Sequence, residues 1–343
     1  MTTVVDAYRS DFDLDSERTS LIPFRGDILW RDDAGNNALW LMNDFPPGTP
    51  STVAALPFVT PDWHVKAAAD FDTDPARDNA DILWQNDNGA LALWLMHGTA
   101  VGPMLPLPNP GPAWHVVGDN DFNGDNADDI LFRNDDGSLV IWTVALATTG
   151  GVSGMYAGTQ NPGPTWHVVG TGDIDGDRKA GILWQNDNGA LAIWENPVLL
   201  NLPPPGNTFT PARSFTFTTV AALPTVDPSW HVKGMADVNN DNSADVVLQN
   251  DSGAVVIWEM GGAAGTTINA MNLVNLNPGP TWHIVGLRDM DHDLKADILF
   301  QNDNGAAAVW EGYQSLGGGS ATFNTVLPIT PNPNPNGHVW DLL

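Results

Sequence analysis

Aspartate and asparagine alternate along residues 121–129, DFNGDNADD, so that Asp121, Asn123, Asp125 and Asp129 hold positions 1, 3, 5 and 9 of one short loop. Oxygen donors at that spacing suit a hard cation. Calcium takes six to eight oxygens at about 2.4 Å, drawn from alternating side chains of a tight loop, a backbone carbonyl and a closing carboxylate. The pattern returns complete as Asp237, Asn239, Asp241, Asp245 and as Asp289, Asp291, Asp293, Asp297. A fourth copy has Asp173, Asp175 and Asp177 but Gly181 at position 9, which implies a weaker site or one completed by water. A fifth, with inserted residues, offers Asp70, Asp72 and Asp74 with Asp78 or Asp81 to close it; a sixth offers Asp11, Asp13 and Asp15, far from Asp27. Aspartate decorates many turns without metal. Six copies at one place in a repeat favour a shared ligand instead, and crowded carboxylates repel until a dication neutralises them. Several structural calcium ions are therefore expected. An EF-hand is disfavoured, because no glutamate stands at position 12 and no helices flank the loops.

Composition agrees with placed acid. The 343 residues carry 41 acidic against 13 basic side chains, a formal charge of −28. Nucleic acid would be repelled rather than steered in. Only Glu17, Glu195, Glu259 and Glu311 are glutamates; every other acid is aspartate, the shorter side chain that fits tight oxygen-ligand loops. Cysteine is absent, which removes disulfides and thiolate metal sites. The first ten residues, MTTVVDAYRS, do not read as a secretory signal, and no apolar run reaches membrane-spanning length. Membrane insertion is not expected. Modest oxygen sites fill at extracellular calcium concentrations, so an extracellular or cell-surface setting is.

The elements that must hold these loops repeat with them. Trp63-His64, Trp114-His115, Trp166-His167, Trp230-His231 and Trp282-His283 each precede an aspartate loop, and Gly337–Trp340 imitates them near the C-terminus. After each loop comes an apolar run, a turn and a second run, as in DILWQNDNGALALW from Asp81 and DILFQNDNGAAAVW from Asp297. β-Branched and aromatic runs joined by Asn-Gly or Asp-Gly predict hairpins, since those residues accept the positive φ of tight turns. A fourth apolar stretch, such as TVAALPF at 52–58, completes each unit, and NPGP turns often lead to the next. Four short antiparallel strands recurring about every 50–60 residues predict an all-β, six-bladed β-propeller of four-stranded antiparallel blades. A single domain spans 1–343, with blades near 1–60, 61–112, 113–164, 165–228, 229–280 and 281–343. Pairing of N- and C-terminal segments closes the ring, the C-terminal strand completing the first blade, although Val4 and Val5 compete for that place.

These residues resemble the FG-GAP or VCBS repeats of integrin-like β-propellers, whose blades carry a D-x-[DN]-x-D-x-x-x-D loop between the first two strands. The likeness runs from about Asp11 to Leu343. It implies calcium in the loops and a propeller fold, and relatives include integrin α-subunit heads, propeller lectins and propeller-shaped polysaccharide lyases. Fold alone does not choose among those activities.

Strand direction puts the metal loops on one face and the Asn-Asp-Asn-Gly turns on the other. On the second face Trp84, Gln85, Asn86, Asp87 and Asn88, then Trp184, Gln185, Asn186, Asp187 and Asn188, then Gln301, Asn302, Asp303 and Asn304 gather an aromatic plate and planar hydrogen-bonding groups. Sugars want that mixture. The alternative is that the indoles pack between blades and the amides serve only the turn; the Trp-His pairs, too, read as packing and spacer. No G-x-S-x-G, H-E-x-x-H or P-loop occurs. The expectation is a calcium-stabilised, non-enzymatic, lectin-like protein that binds glycans or cell-surface polysaccharide through several equivalent blades. Unequal insertions at 16–25, 195–215 and 312–323 favour the alternative of a protein-adhesion scaffold within a larger secreted chain; a polysaccharide lyase is a further, less favoured alternative.

Overall fold

The computed structural model describes residues 27–42, 50–71, 80–145, 151–200, 213–262, 264–291, 293–330 and 340–342. Among them every regular element is a strand. None is a helix long and apolar enough to cross a membrane. Alternation drives the local structure: in the second strand of a unit, such as Asp81–Asn86, both faces are buried, while the fourth, such as Ala100–Leu107, is mostly exposed. Each repeat thus runs from an enclosed edge to an open one.

Four strands in sequence order form each antiparallel meander. In repeat II they are Trp63–Ala69, Asp81–Asn86, Leu91–His97 and Ala100–Leu107. Repeats III, IV, V and VI follow the same plan over 114–158, 166–223, 230–274 and 282–328. In repeat I, Ile28–Asp32, Asn37–Met42 and Pro50–Leu56 are joined by Trp340–Leu342, which pairs antiparallel to Ile28–Asp32. The C-terminal segment therefore occupies the first-strand position of repeat I; Val4 and Val5 lie outside the described residues.

Six separate four-stranded sheets are not what hydrogen bonding produces. There are two four-stranded and two eight-stranded sheets. Repeats III and IV join through parallel pairing of Gly151–Gly158 with Arg213–Leu223, and V and VI through Thr267–Val274 with Ser320–Pro328. The insertions are the cause. They lengthen the last hairpins of repeats IV and VI to strands of 10 and 11 residues and of 11 and 9 residues, long enough to reach a neighbour's open edge and cover it.

The core lies between meanders. Six hydrophobic clusters each combine residues of two consecutive repeats, and the sixth packs Met290, Leu299, Val309 and Ile329 against Ile28, Trp30, Trp40 and Met42, uniting last repeat with first. Within repeats the aromatics pair across strands: Trp30–Trp40, Trp84–Trp94, Phe132–Trp142, Trp184–Trp194 and Phe300–Trp310 have ring centroids 4.5–5.1 Å apart. Such pairs add about 0.5–1.5 kcal/mol each beyond area burial. The hairpin turns lock against the passage to the next repeat. At Gly89 φ is +86°, and a Cβ there would lie 2.3 Å from the Gly111 carbonyl oxygen, so only glycine fits. The architecture is all-β and propeller-like.

Candidate functional site

In repeats III to VI the aspartate loop lies between the first and second strands of its meander. In repeat III Asp121 is almost fully buried; its Oδ1 accepts the Gly124 N–H at 2.6 Å and those of Asn123 and Asp125 at 3.2 Å, and its Oδ2 accepts that of Asn126 at 2.7 Å. Asp129 closes the loop from the second strand, accepting the Phe122 N–H at 3.1 Å and the Asn123 side-chain amide at 3.2 Å. Repeat V copies this: Asp237 accepts from Asn240, Asp241 and Asn242, and Asp245 from Val238. Position 6 is left-handed in all four described loops, at Asn126, Arg178, Asn242 and Leu294, with φ of 65–69°. Asparagine tolerates that conformation; arginine and leucine adopt it at a cost, so the surrounding loop dictates the backbone.

The donors fit a hard dication. Carboxylate oxygens of Asp173, Asp175 and Asp177 lie within 4.8 Å of one another, as do those of Asp289, Asp291 and Asp297. That span matches opposite sides of a coordination sphere of about 2.4 Å radius. Asn239 Oδ1, at position 3 of the fifth loop, is buried with no hydrogen-bond partner among the described residues. A buried acceptor left unpaired costs about 1–3 kcal/mol, which a cation there would offset. The closing aspartates 129, 245 and 297 are fully buried. Burial, reinforced by neighbouring carboxylates, raises all three: Asp129 well above the ordinary range, Asp245 to about 8 and Asp297 to about 9. Asp293 accepts the Lys295 N–H at 2.9 Å.

In the first two repeats the loop aspartates 11, 13, 15, 72, 74 and 78 lie outside the described residues. The closing position is nevertheless visible. Asp81, opposite Ala69, has the register of Asp245 opposite Ala236, and its buried Oδ1 accepts the Met96 N–H at 2.9 Å as that of Asp245 accepts the Met260 N–H. Asp81 thus holds in repeat II the register that Asp245 holds in repeat V, while Asp78 lies outside the described residues. Asp27 does the same in repeat I, accepting from Met42 at 3.0 Å.

On the opposite face the expected sugar plate is corrected. Trp84 and Trp184 are 1% and 0% exposed and fill the space between repeats, as does Phe300. The glutamines are staples between repeats. Gln85 donates to the Trp114 carbonyl at 2.7 Å and accepts the Val116 N–H at 3.0 Å. Gln249 treats Trp282 and Ile284 alike, Gln185 donates to the Trp230 carbonyl, and Gln301 is buried. Arg31 takes the same role in repeat I, donating to the Val59, Thr60 and Trp63 carbonyls with its guanidinium over the Trp84 ring. Asn86 donates to Asp62, and Asn186 and Asn302 to Thr165 and Thr281. Asn88, Asn188 and Asn304 accept the N–H two residues on, within their own turns. Gln249→Ala removes two hydrogen bonds and strands two backbone groups; it is expected to destabilise by about 2–4 kcal/mol. Urea denaturation checks this, and an unchanged midpoint would contradict the staple role.

Asp87, Asp187 and Asp303 remain exposed, each paired with a histidine. His64–Asp87, His115–Asp135, His167–Asp187, His231–Asp251 and His283–Asp303 are joined at 2.7–2.9 Å, and both partners reach solvent. The tryptophan before each histidine is only partly buried. Sequence reasoning set these residues aside as packing and spacers. The signal was present, since histidine and turn aspartate recur together in all five copies, but pairing across strands becomes visible only in the register, where His64 stands opposite Gln85, two residues before Asp87.

No protein-family model and no curated protein matches the chain. Among solved structures it is similar to a chain of the crystal structure of the mitotic checkpoint complex, at 11% identity and a TM-score of 0.45, covering 96% of this chain and 83% of that one. It is also similar to a chain in the crystal structure of BBS1N in complex with ARL6DN, soaked with lead, at 10% identity and a TM-score of 0.42, covering 83% and 77%.

Proposed function

We propose that the chain is a calcium-stabilised, six-bladed propeller of the FG-GAP or VCBS kind that binds carbohydrate multivalently and carries out no catalysis. Each blade is one meander, and the parallel edge pairings tie blades III to IV and V to VI without altering the count. The hydrophobic cluster between last and first repeats supports a closed ring. The buried closing carboxylates and the partnerless Asn239 oxygen support the ions. An extracellular or cell-surface setting, where calcium is abundant, suits such sites.

One observation carries the binding reading: an exposed His–Asp pair, five times over on one face, each histidine next in sequence to a partly buried tryptophan. The carboxylate and imidazole offer directional partners to sugar hydroxyls, while the indole leaves the strand on its other face and packs against the core between repeats. Single sites of this kind are weak, and several on one rigid body gain strength through avidity. With a charge of −28, neutral glycans are preferred to acidic ones. A glycan array read with and without EDTA tests the reading. Binding to neutral glycans, weakened in His64→Ala and His231→Ala variants that keep their melting temperature, is the expected result. Binding to none would end the carbohydrate assignment and turn attention to protein adhesion through the long hairpins.

A further inference from the structure

Repeat IV breaks the pattern of its neighbours at one atom-rich place. Asp81, Asp129, Asp245 and Asp297 begin the second strand of their units and Asp27 immediately precedes its own, whereas repeat IV has Gly181 there. The backbone register is unchanged: Gly181 stands opposite Gly172 as Asp129 does opposite Asn120. The missing carboxylate is not replaced by a void. A Cβ added to Gly181 would lie 2.0 Å from Glu195 Oε1, 2.2 Å from its Cδ and 2.5 Å from its Oε2, its three nearest atoms. The carboxylate of Glu195, reaching across from the third strand Leu191–Leu200, thus fills the volume that an aspartate side chain fills elsewhere.

The hydrogen bonding has moved with it. In repeats V and VI the N–H of Met260 or Gly312 donates to the closing aspartate. Asn196 holds the same place in repeat IV, and its N–H donates to Glu195 Oε2 at 3.3 Å. Asn196 is left-handed at φ 58°, as Gly312 is at 70°, and its side-chain amide donates to Asp175 Oδ2 at 3.2 Å, tying this strand to the loop. Glu195 is 1% exposed, and its Oε1 has no hydrogen-bond partner. Glu259, at the matching position of repeat V, is spent differently, accepting from Asn272 and Tyr313 while Asp245 keeps the closing place.

We infer that Glu195 supplies the closing carboxylate of a divalent-cation site in the fourth loop, with Asp173, Asp175 and Asp177 as the other side-chain ligands. The inference rests on the reading that the loops bind calcium. Asp173, Asp175 and Asp177 already lie within 4.8 Å of one another, with Glu195 outside that group; its buried, unpartnered oxygen beside the loop has no hydrogen-bond partner among the described residues, and a dication drawing it in would provide one. The fourth site is then not the weak or water-completed one that Gly181 by itself implies. Glycine at 181 leaves this volume to Glu195, because an aspartate there would displace the Glu195 carboxylate.

Calcium titrated into the full-length protein by calorimetry tests this, with the unmutated chain, Glu195→Gln, Gly181→Asp/Glu195→Ala and Asp245→Asn compared. Glu195→Gln is expected to weaken one calcium equivalent at least about tenfold, since affinity follows ligand charge count. The double variant, which moves the carboxylate back to the loop position and removes the atoms it would strike, is expected to recover that equivalent. If Glu195→Gln does not fold, the double variant decides alone: the full number of ions supports the assignment, and one fewer overturns it. Undiminished binding by Glu195→Gln, with one equivalent lost in Asp245→Asn, overturns the role of Glu195 and leaves calcium in the other loops. No calcium bound by the unmutated chain defeats the wider reading as well.

Discussion

Removal of calcium is expected to lower the melting temperature by about 10–20 °C. The estimate follows from linkage: an ion at about a hundred times its dissociation constant stabilises the folded state by about 2.7 kcal/mol per site. Four loops are described, in repeats III to VI, and a chain of this size loses roughly 0.7 kcal/mol of stability per degree near its midpoint. The physical source lies at the closing residues. Asp129, Asp245 and Asp297 have no solvent exposure, so without an ion each must hold a proton or face other carboxylates as an uncompensated charge in a low-dielectric setting. Differential scanning calorimetry with EDTA and then with calcium restored is the measurement. Magnesium should restore less, because it demands a tight octahedral shell and gives up its waters reluctantly. Identical curves with and without chelator would remove the structural role assigned to the ion.

Without calcium, stability should fall as pH rises from about 5 to 9. The direction follows from which state holds the protons. Burial raises Asp245 to about 8 and Asp297 and Glu195 to about 9, with nearby aspartates adding to the effect. In the unfolded chain carboxyls titrate near pH 4. Between those values the folded, ion-free chain keeps protons that the unfolded chain has lost, so each unit of pH favours unfolding. Calcium reverses the trend, since it takes only the ionised groups: the gap between melting temperatures with and without calcium should be small at pH 5 and widest near pH 9. At pH 7, binding should also expel protons, seen as a dependence of calorimetric heat on the ionisation enthalpy of the buffer. An ion-free protein that grows more stable from pH 5 to 9, or binding with no proton release, would contradict the buried-carboxylate account.

Much of this molecule could be read from its residues in order. Asn-Gly and Asp-Gly turns, β-branched runs and the D-x-[DN]-x-D spacing are local signals, each decided within about ten residues by backbone sterics and donor geometry, and they located hairpins and loops correctly in the four described copies. Six-fold repetition multiplied the weight of each weak signal. Repetition also misled. Trp84 and Trp184 sit beside turn amides in sequence, which suggested one surface, yet period-two alternation turns the indoles inward and leaves the turn aspartates outside.

Sequence by itself determined the repeat, the strands and the spacing of the loop aspartates, because those depend on neighbours a few bonds away. Tertiary structure alone decided which donors converge. That Gln249 clamps the next repeat, that His64 meets Asp87, and that Glu195 lies in the space left by Gly181 all follow from cross-strand register and inter-repeat packing. Spacing along the chain cannot disclose such choices, since a carboxylate on the third strand and one on the second reach the same point by different paths.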